Sequence, residues 1–220
     1  MKITFLGHAC FMLDDGACKV LTDPFLTGNH LAAVSADEVD PDCIFVTHGH
    51  GDHVGDTVAI ARCTNAEVYC TADMAETVLG PSGVDVRSGN IGGRVPAPFG
   101  FVKFFQAVHG SGVPGGLPCG FVFEMDGRKI YHAGDTGLMS DMALLADEDI
   151  DVALLPIGDV YTMGPAEALR AVKMIRPKMV IPMHYDTFPA IAQDPEAFAV
   201  AVEALGVRAK VLRPGDSVEI

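Results

Sequence analysis

Thr47-His48-Gly49-His50-Gly51-Asp52-His53 follows directly on the apolar run Cys43-Ile44-Phe45-Val46. Three imidazoles and one carboxylate fall within the six residues from His48 to His53, where a buried strand gives way to a loop. On an extended segment residues two apart point to the same side, so His48 and His50 share a direction and the following turn aims Asp52 and His53 elsewhere. Four potential ligands exceed what one open catalytic ion takes from a single segment. The motif therefore predicts two ions, one held through His48 and His50 and the other through Asp52 and His53. Clustered imidazoles with nothing to bind have little structural use.

Outward from this motif, three further ligand types stand where predicted strands end. His109 follows Phe104-Phe105-Gln106-Ala107-Val108, Asp135 follows the strand around Lys129-Ile130-Tyr131, and His184 follows Val180-Ile181-Pro182-Met183. Strand ends are where sites collect in layered α/β folds. With His48, His50, Asp52 and His53 they make seven candidate ligands.

The rest of the chain supplies a scaffold. Strand patterns run over 3–6, 9–13 and 19–22, with Asp14-Asp15-Gly16 as a hairpin turn. A loop over 23–42 leads to the strand at 43–46. Helices are predicted over 54–61 and 72–79 around a strand at 67–70, then a strand-rich stretch over 94–130 with a turn at Asp126-Gly127. The last third alternates: helix 138–146, strand 151–155, helix 165–175, strand 179–182, helix 194–205 and a closing strand at 208–212. Strands at both ends with helices between them imply two packed sheets with helices outside, an α/β fold layered αββα.

Composition sets the limits. The 220 residues fit one domain, and 49% hydrophobic with 20% charged residues is a packed globular chain. Mean hydropathy is +0.29, yet apolar runs such as Val152-Ala153-Leu154-Leu155 are far too short to span a bilayer. Gly7-His8 and Asp14-Asp15 interrupt the N-terminal stretch before a signal-type core forms, so a cytoplasmic protein without a membrane partner is expected. A net charge of −14 and the lack of any Lys/Arg cluster argue against nucleic acid. The six cysteines form no CxxC pair and read as small buried hydrophobes of a reducing compartment.

The order His-x-His-x-Asp-His, His, Asp, His resembles the metallo-β-lactamase superfamily. Leu6-Gly7-His8-Ala9-Cys10, Asp23-Pro24-Phe25-Leu26, Ala133-Gly134-Asp135-Thr136-Gly137, Pro156-Ile157-Gly158 with Thr162-Met163-Gly164, and Pro182-Met183-His184-Tyr185 look like its compact metal-dependent hydrolases related to ascorbate-6-phosphate lactonase. The resemblance covers nearly the whole chain. It implies a four-layer metallo-β-lactamase-like sandwich over residues 1–220 and two divalent ions, zinc first, with manganese, iron or nickel as alternatives. His48, His50 and His109 would hold the first ion, Asp52, His53 and His184 the second, and Asp135 would bridge them. Asp23 would brace the ligand loop from behind. The stretch 156–164 would wall the substrate pocket through Gly158, Tyr161, Thr162 and Met163, with Tyr185 and Phe188 adding apolar lining.

The expected chemistry is hydrolysis of a small ester or lactone by a hydroxide shared between the ions, oriented by Asp52. His8 is the candidate proton donor, His132 a hydrogen-bond partner or core residue, and His30 a solvated one. Phosphodiester hydrolysis is the alternative. In related proteins β-lactam cleavage goes with loss of the bridging aspartate, and di-iron oxidoreductases carry Glu at the position of His50 and need a flavin domain. The partner expected is a small-molecule substrate, and homo-oligomerisation stays open.

Overall fold

The computed structural model describes residues 1–220. The first sheet carries β1 (Lys2–Gly7), β2 (Cys10–Asp14), β3 (Lys19–Thr22), β4 (Cys43–Phe45), β5 (Glu67–Thr71) and β6 (Val86–Gly89) in that spatial order. The second carries β7 (Arg94–Ala97), β8 (Gly100–Gln106), β9 (Cys119–Met125), β10 (Arg128–His132), β11 (Val152–Pro156), β12 (Met179–Met183) and β13 (Arg208–Ala209), also in sequence order. A last strand, β14 (Ser217–Glu219), returns to pair with β1 at the edge of the first sheet.

The strand β4 shows how the layers arise. Cys43 and Phe45 belong to the main core, whereas Ile44 and Val46 belong to a second apolar cluster with Ile60, Ala61 and Leu79. Period-two alternation with both faces buried requires something packed on each side of the strand. One face meets the other sheet: Phe45, stacked on its own-sheet neighbour Tyr69 at 4.4 Å, meets Phe121 and Phe123 of β9 edge-on at 5.3 and 4.9 Å. The other face is covered by helices α1 (Gly51–Val54), α2 (Thr57–Thr64) and α3 (Ala72–Met74), the last widening into a π turn over Ala75–Leu79. On the second sheet, α4 (Pro165–Ile175) and α5 (Pro195–Glu203) contribute Ala168, Ala171, Val172, Phe198 and Val202. The result is the expected αββα sandwich.

Strand direction places the site. β1 and β3 are both antiparallel to β2, and β3, β4 and β5 are mutually parallel, so β1, β3 and β4 all run the same way. In the second sheet β8 and β10 are both antiparallel to β9, and β10, β11 and β12 are parallel. His8, Asp23 and the 48–53 loop thus leave one end of the first sheet. His109, Asp135 and His184 leave one end of the second.

Several local expectations are corrected. The helix expected over 54–61 is two, broken at Gly55 (φ 41°), where the Pro24 carbonyl packs against the Cα and leaves no room for a side chain. The break docks the 24–27 loop: Asp56 donates its N–H to Pro24 O at 2.9 Å and accepts from the N–H of Thr27 at 2.7 Å. The helix expected over 138–146 is a 3₁₀ helix, Ser140–Glu148. Only Arg208–Ala209 of the closing stretch pairs, and β6 and β14 were not anticipated. Both predicted turns are present; Asp126 (φ 50°) and Gly127 (φ 67°) have the paired positive φ of a tight hairpin. Cys63 is exposed, unlike the other five cysteines, because it lies on the outer side of α2. No helix is long and apolar enough to cross a membrane.

Candidate metal centre

The seven candidate ligands converge at the shared strand ends. His50 Nδ1 has His48 Nε2 at 2.9 Å and His109 Nε2 at 3.3 Å. A second group joins Asp52, His53, His184 and His8, whose ligand atoms all lie within 4.8 Å of one another. Asp135 stands between the groups, its Oδ2 3.5 Å from His109 Nε2 and 3.0 Å from His184 Nε2, its Oδ1 3.3 Å from His53 Nε2.

A metal fits this donor set on the structure's own terms. His53 Nε2, both ring nitrogens of His184 and Asp135 Oδ1 are buried and have no hydrogen-bond partner. His53 Nε2 and His184 Nε2 face the two Asp135 oxygens at 3.3 and 3.0 Å, the arrangement of ligands around a shared centre, while His184 Nδ1 faces Gly158. Leaving such atoms unpaired would cost about 1–3 kcal/mol each. Imidazole and carboxylate together suit zinc and other borderline divalent ions.

Asp23 sets the protonation of one ligand in each group. It is fully buried, and its Oδ1 accepts the Thr47 N–H at 2.8 Å. Its Oδ2 accepts from the Thr47 hydroxyl and from His53 Nδ1, each at 2.7 Å. Because the Thr47 proton is committed to Asp23, His48 Nδ1 at 3.0 Å from Thr47 Oγ1 must be the donor there. Both imidazoles then turn an unprotonated Nε2 to the centre.

Electrostatics agree. Burial, reinforced by repulsion from His53, lowers the His48 pKa to about 2, so that ring is a neutral lone-pair donor. Burial would also lower His53, but Asp135 and Asp23 on either side override it and raise its pKa well above the ordinary value when no ion intervenes. Burial opposes ionisation of Asp135, yet His53 and His184 hold its carboxyl well below the usual range.

The remaining site residues distribute unevenly. A cavity of about 240 Å³ opens over the centre, lined by His50, Asp52, His109, Asp135, His184, Tyr161 and Phe188. Of the residues expected to wall or line it, Tyr161 and Phe188 do so. Met163 is 1% exposed and belongs to the main core, because Asp159 and Met163 close a turn by hydrogen bonding and fold it inward. Gly158 is buried with the His184 carbonyl packed against its Cα, and the Thr162 hydroxyl donates to Met163 O at 3.2 Å. Tyr185 lines a neighbouring cavity with Phe5, Leu31 and Arg213.

His8, expected as the proton donor, also lies off the main cavity. It is 1% exposed and in left-handed backbone (φ 59°), with Nε2 3.3 Å from Asp52 Oδ2 and Nδ1 2.9 Å from Thr187 Oγ1. Its carbonyl accepts the His184 N–H at 2.8 Å. His8 therefore grips two members of the second group and touches no open surface of the cavity. His132 is a core residue: Nε2 donates to Ala9 O at 2.9 Å and Nδ1 accepts from the Gly134 N–H at 3.1 Å. His30 is exposed. Thr47 and Thr187 escaped the sequence reading; the one available signal was Thr47's place between the buried strand and His48.

Comparison with known proteins bears on the same residues. The chain matches the Beta-lactamase superfamily domain over residues 2–184. It is 49% identical to a UPF0173 metal-dependent hydrolase of Pelotomaculum thermopropionicum across 100% of both chains. The chain belongs to the UPF0173 metal-dependent hydrolase family. A second member, from Symbiobacterium thermophilum, is 50% identical over 99% of each chain. Among solved structures, the metallo hydrolase Igni18 of the archaeon Ignicoccus hospitalis superposes with a TM-score of 0.92 at 36% identity, covering 99% of this chain and 97% of that one. These relatives fix the superfamily and the fold. They do not carry the narrower likeness to ascorbate-6-phosphate lactonase.

Proposed function

We propose that this metal-dependent hydrolase cleaves a small ester or lactone at a centre of two divalent ions, zinc in the first instance. The observation that carries the reading is the pair of ligand groups joined by Asp135, which lies within 3.5 Å of nitrogens in both. His48, His50 and His109 would hold one ion and Asp52, His53 and His184 the other, with Asp135 common to both. Two ions so placed would make a water nucleophilic near neutral pH and polarise the oxygen of the bond under attack.

The chain's own residues do the positioning. Asp52 is half-buried at the cavity edge, where a carboxylate oxygen can orient the attacking water and accept its proton. His8 and Thr187 keep Asp52 from turning away. Asp23 and Thr47 keep the two Nε2 lone pairs directed inward. No serine or cysteine nucleophile is required, and none lines the cavity.

The test is to load the purified protein with zinc or manganese and compare turnover of aryl esters, lactones and phosphodiesters, with oxygen uptake alongside. Ester or lactone turnover above the others is expected. Preferential phosphodiester turnover, or oxygen uptake without hydrolysis, would overturn the reading.

A further inference from the structure

The cavity lining divides into five polar residues that also serve as candidate ligands and two aromatic rings, Tyr161 and Phe188. Whatever the chain itself recognises beside the scissile bond must therefore meet those rings. No Lys or Arg lines the cavity, and the chain as a whole carries a net charge of −14. A fixed anionic group set against the two rings, away from the charge the ions would supply at the scissile bond, would find no countercharge from the protein there. Resting on the hydrolase reading above, we propose that the substrate carries an uncharged aryl or alkyl group next to its scissile bond, gripped between Tyr161 and Phe188.

Both rings are held in place by the residues that build the centre. Phe188 stacks on Phe25 at 6.3 Å and 25°, and meets the His8 ring edge-on at 5.6 Å. Its neighbour Thr187 is bonded to His8. Tyr161 stands on a turn in which Asp159 (φ 60°) and Val160 (φ 42°) are both left-handed. A β-branched residue in that region is strained, which a fold sustains when the surroundings over-determine the geometry. Here they do: the Asp159 N–H donates to Met163 O at 3.0 Å, the Thr162 N–H to Asp159 O at 3.0 Å, and the Met163 N–H to Thr136 O at 2.9 Å. The last bond ties the turn to the residue after Asp135. Tyr161 is 58% and Phe188 38% exposed, so both keep apolar surface free for a ligand. Their fixed anchorage makes them a specificity element and not a loose rim. The volume of about 240 Å³ sits below the usual ligand-pocket range of roughly 300–1,000 Å³, so the group is small.

Two probe pairs test this. Phenyl acetate and 4-sulfophenyl acetate share a scissile bond and differ in one fixed charge; acetanilide and its 4-sulfonate are the corresponding unreactive amides. The zinc-loaded protein is expected to favour the uncharged ester by about tenfold or more in kcat/KM, and to bind the uncharged amide more tightly by equilibrium dialysis. Tyr161→Ala and Phe188→Ala should each raise KM for phenyl acetate about tenfold or more with kcat changed by less than about threefold. Tyr161→Phe, which keeps the ring, should recover most of the KM loss seen in Tyr161→Ala. Equal or better use of the sulfonated probes overturns the proposal, as does a Tyr161→Phe variant as impaired as Tyr161→Ala. If neither ester turns over, the ester reading fails by itself and the dialysis arm decides. Ring-dependent binding of acetanilide then upholds the recognition, and equal or absent binding of both amides refutes it.

Discussion

Replacing Asp23 by Asn changes one atom and should disturb both halves of the centre. The carboxylate is fully buried and accepts from the Thr47 N–H at 2.8 Å, the Thr47 hydroxyl at 2.7 Å and His53 Nδ1 at 2.7 Å. In Asp23→Asn the amide oxygen can keep the Thr47 N–H, but the NH₂ then faces the two donors that Oδ2 had served. Hydrogen bonds to a charged acceptor contribute about 1.5–3 kcal/mol each. Loss of two therefore predicts roughly 3–6 kcal/mol of destabilisation, a large part of a typical total of about 5–15 kcal/mol. In the loaded protein His53 has one escape: moving its proton to Nε2, the atom that faces Asp135 at 3.3 Å. That blocks the lone pair and should weaken the second ion about 10–100-fold. The first ion should weaken less, since His48 reaches Asp23 only through Thr47. The assays are urea denaturation of metal-free protein and competitive titration of each ion. Asp23→Asn within about 0.5 kcal/mol of the parent, binding both ions with parental affinity, would refute the reasoning.

Three other outcomes follow from the same contacts. His8→Ala should lower occupancy of the second ion about 10–100-fold while the first is retained, with Thr187→Val a weaker copy, as measured by elemental analysis after dialysis. Asp135→Ala should strip one or both ions and reduce turnover by several orders of magnitude, whereas His132→Ala should keep its metal and lose stability, since Ala9 O and the Gly134 N–H lose a partner. On the far side of the second sheet, the hydrogen bond from Lys103 at 2.6 Å, and then that from Lys129 at 3.0 Å, hold the Glu148 carboxyl below its usual value. A depressed carboxyl pKa stabilises the fold above the unfolded value near 4.3, and that contribution fades as pH falls through the folded value. Glu148→Gln should therefore lose up to about 1 kcal/mol at pH 7, and the gap from the parent should close below about pH 4 in denaturation curves.

The candidate ligands were legible because few side chains bind a divalent ion, and a chain that places His48, His50, Asp52 and His53 behind a buried strand has little other use for them. The αββα order was legible from the strand and helix periods and from Cys43–Val46, apolar on both faces. What could not be read depends on contacts between distant segments. Gly55 breaks a helix because Pro24 packs on it, 31 positions away in sequence. Met163 and Tyr161 sit two apart with similar apolar character, and only the closure of the Asp159–Met163 turn sends one into the core and the other to the cavity. β14 is the triplet Ser217-Val218-Glu219, in which Val218 alone meets the core, too short an alternation to announce its pairing with β1. Thr47 and Thr187 are ordinary residues until the atoms they orient are known.

The most direct measurement of the proposed two-ion centre is metal stoichiometry by elemental analysis, on protein purified without added metal and again after reconstitution with zinc. About two ions per chain are expected after loading, falling to about one in His53→Ala, with the His48–His50–His109 group still occupied. A parent chain that never takes up more than one ion, or a His53→Ala variant that still holds two, would contradict the assignment of two groups sharing Asp135.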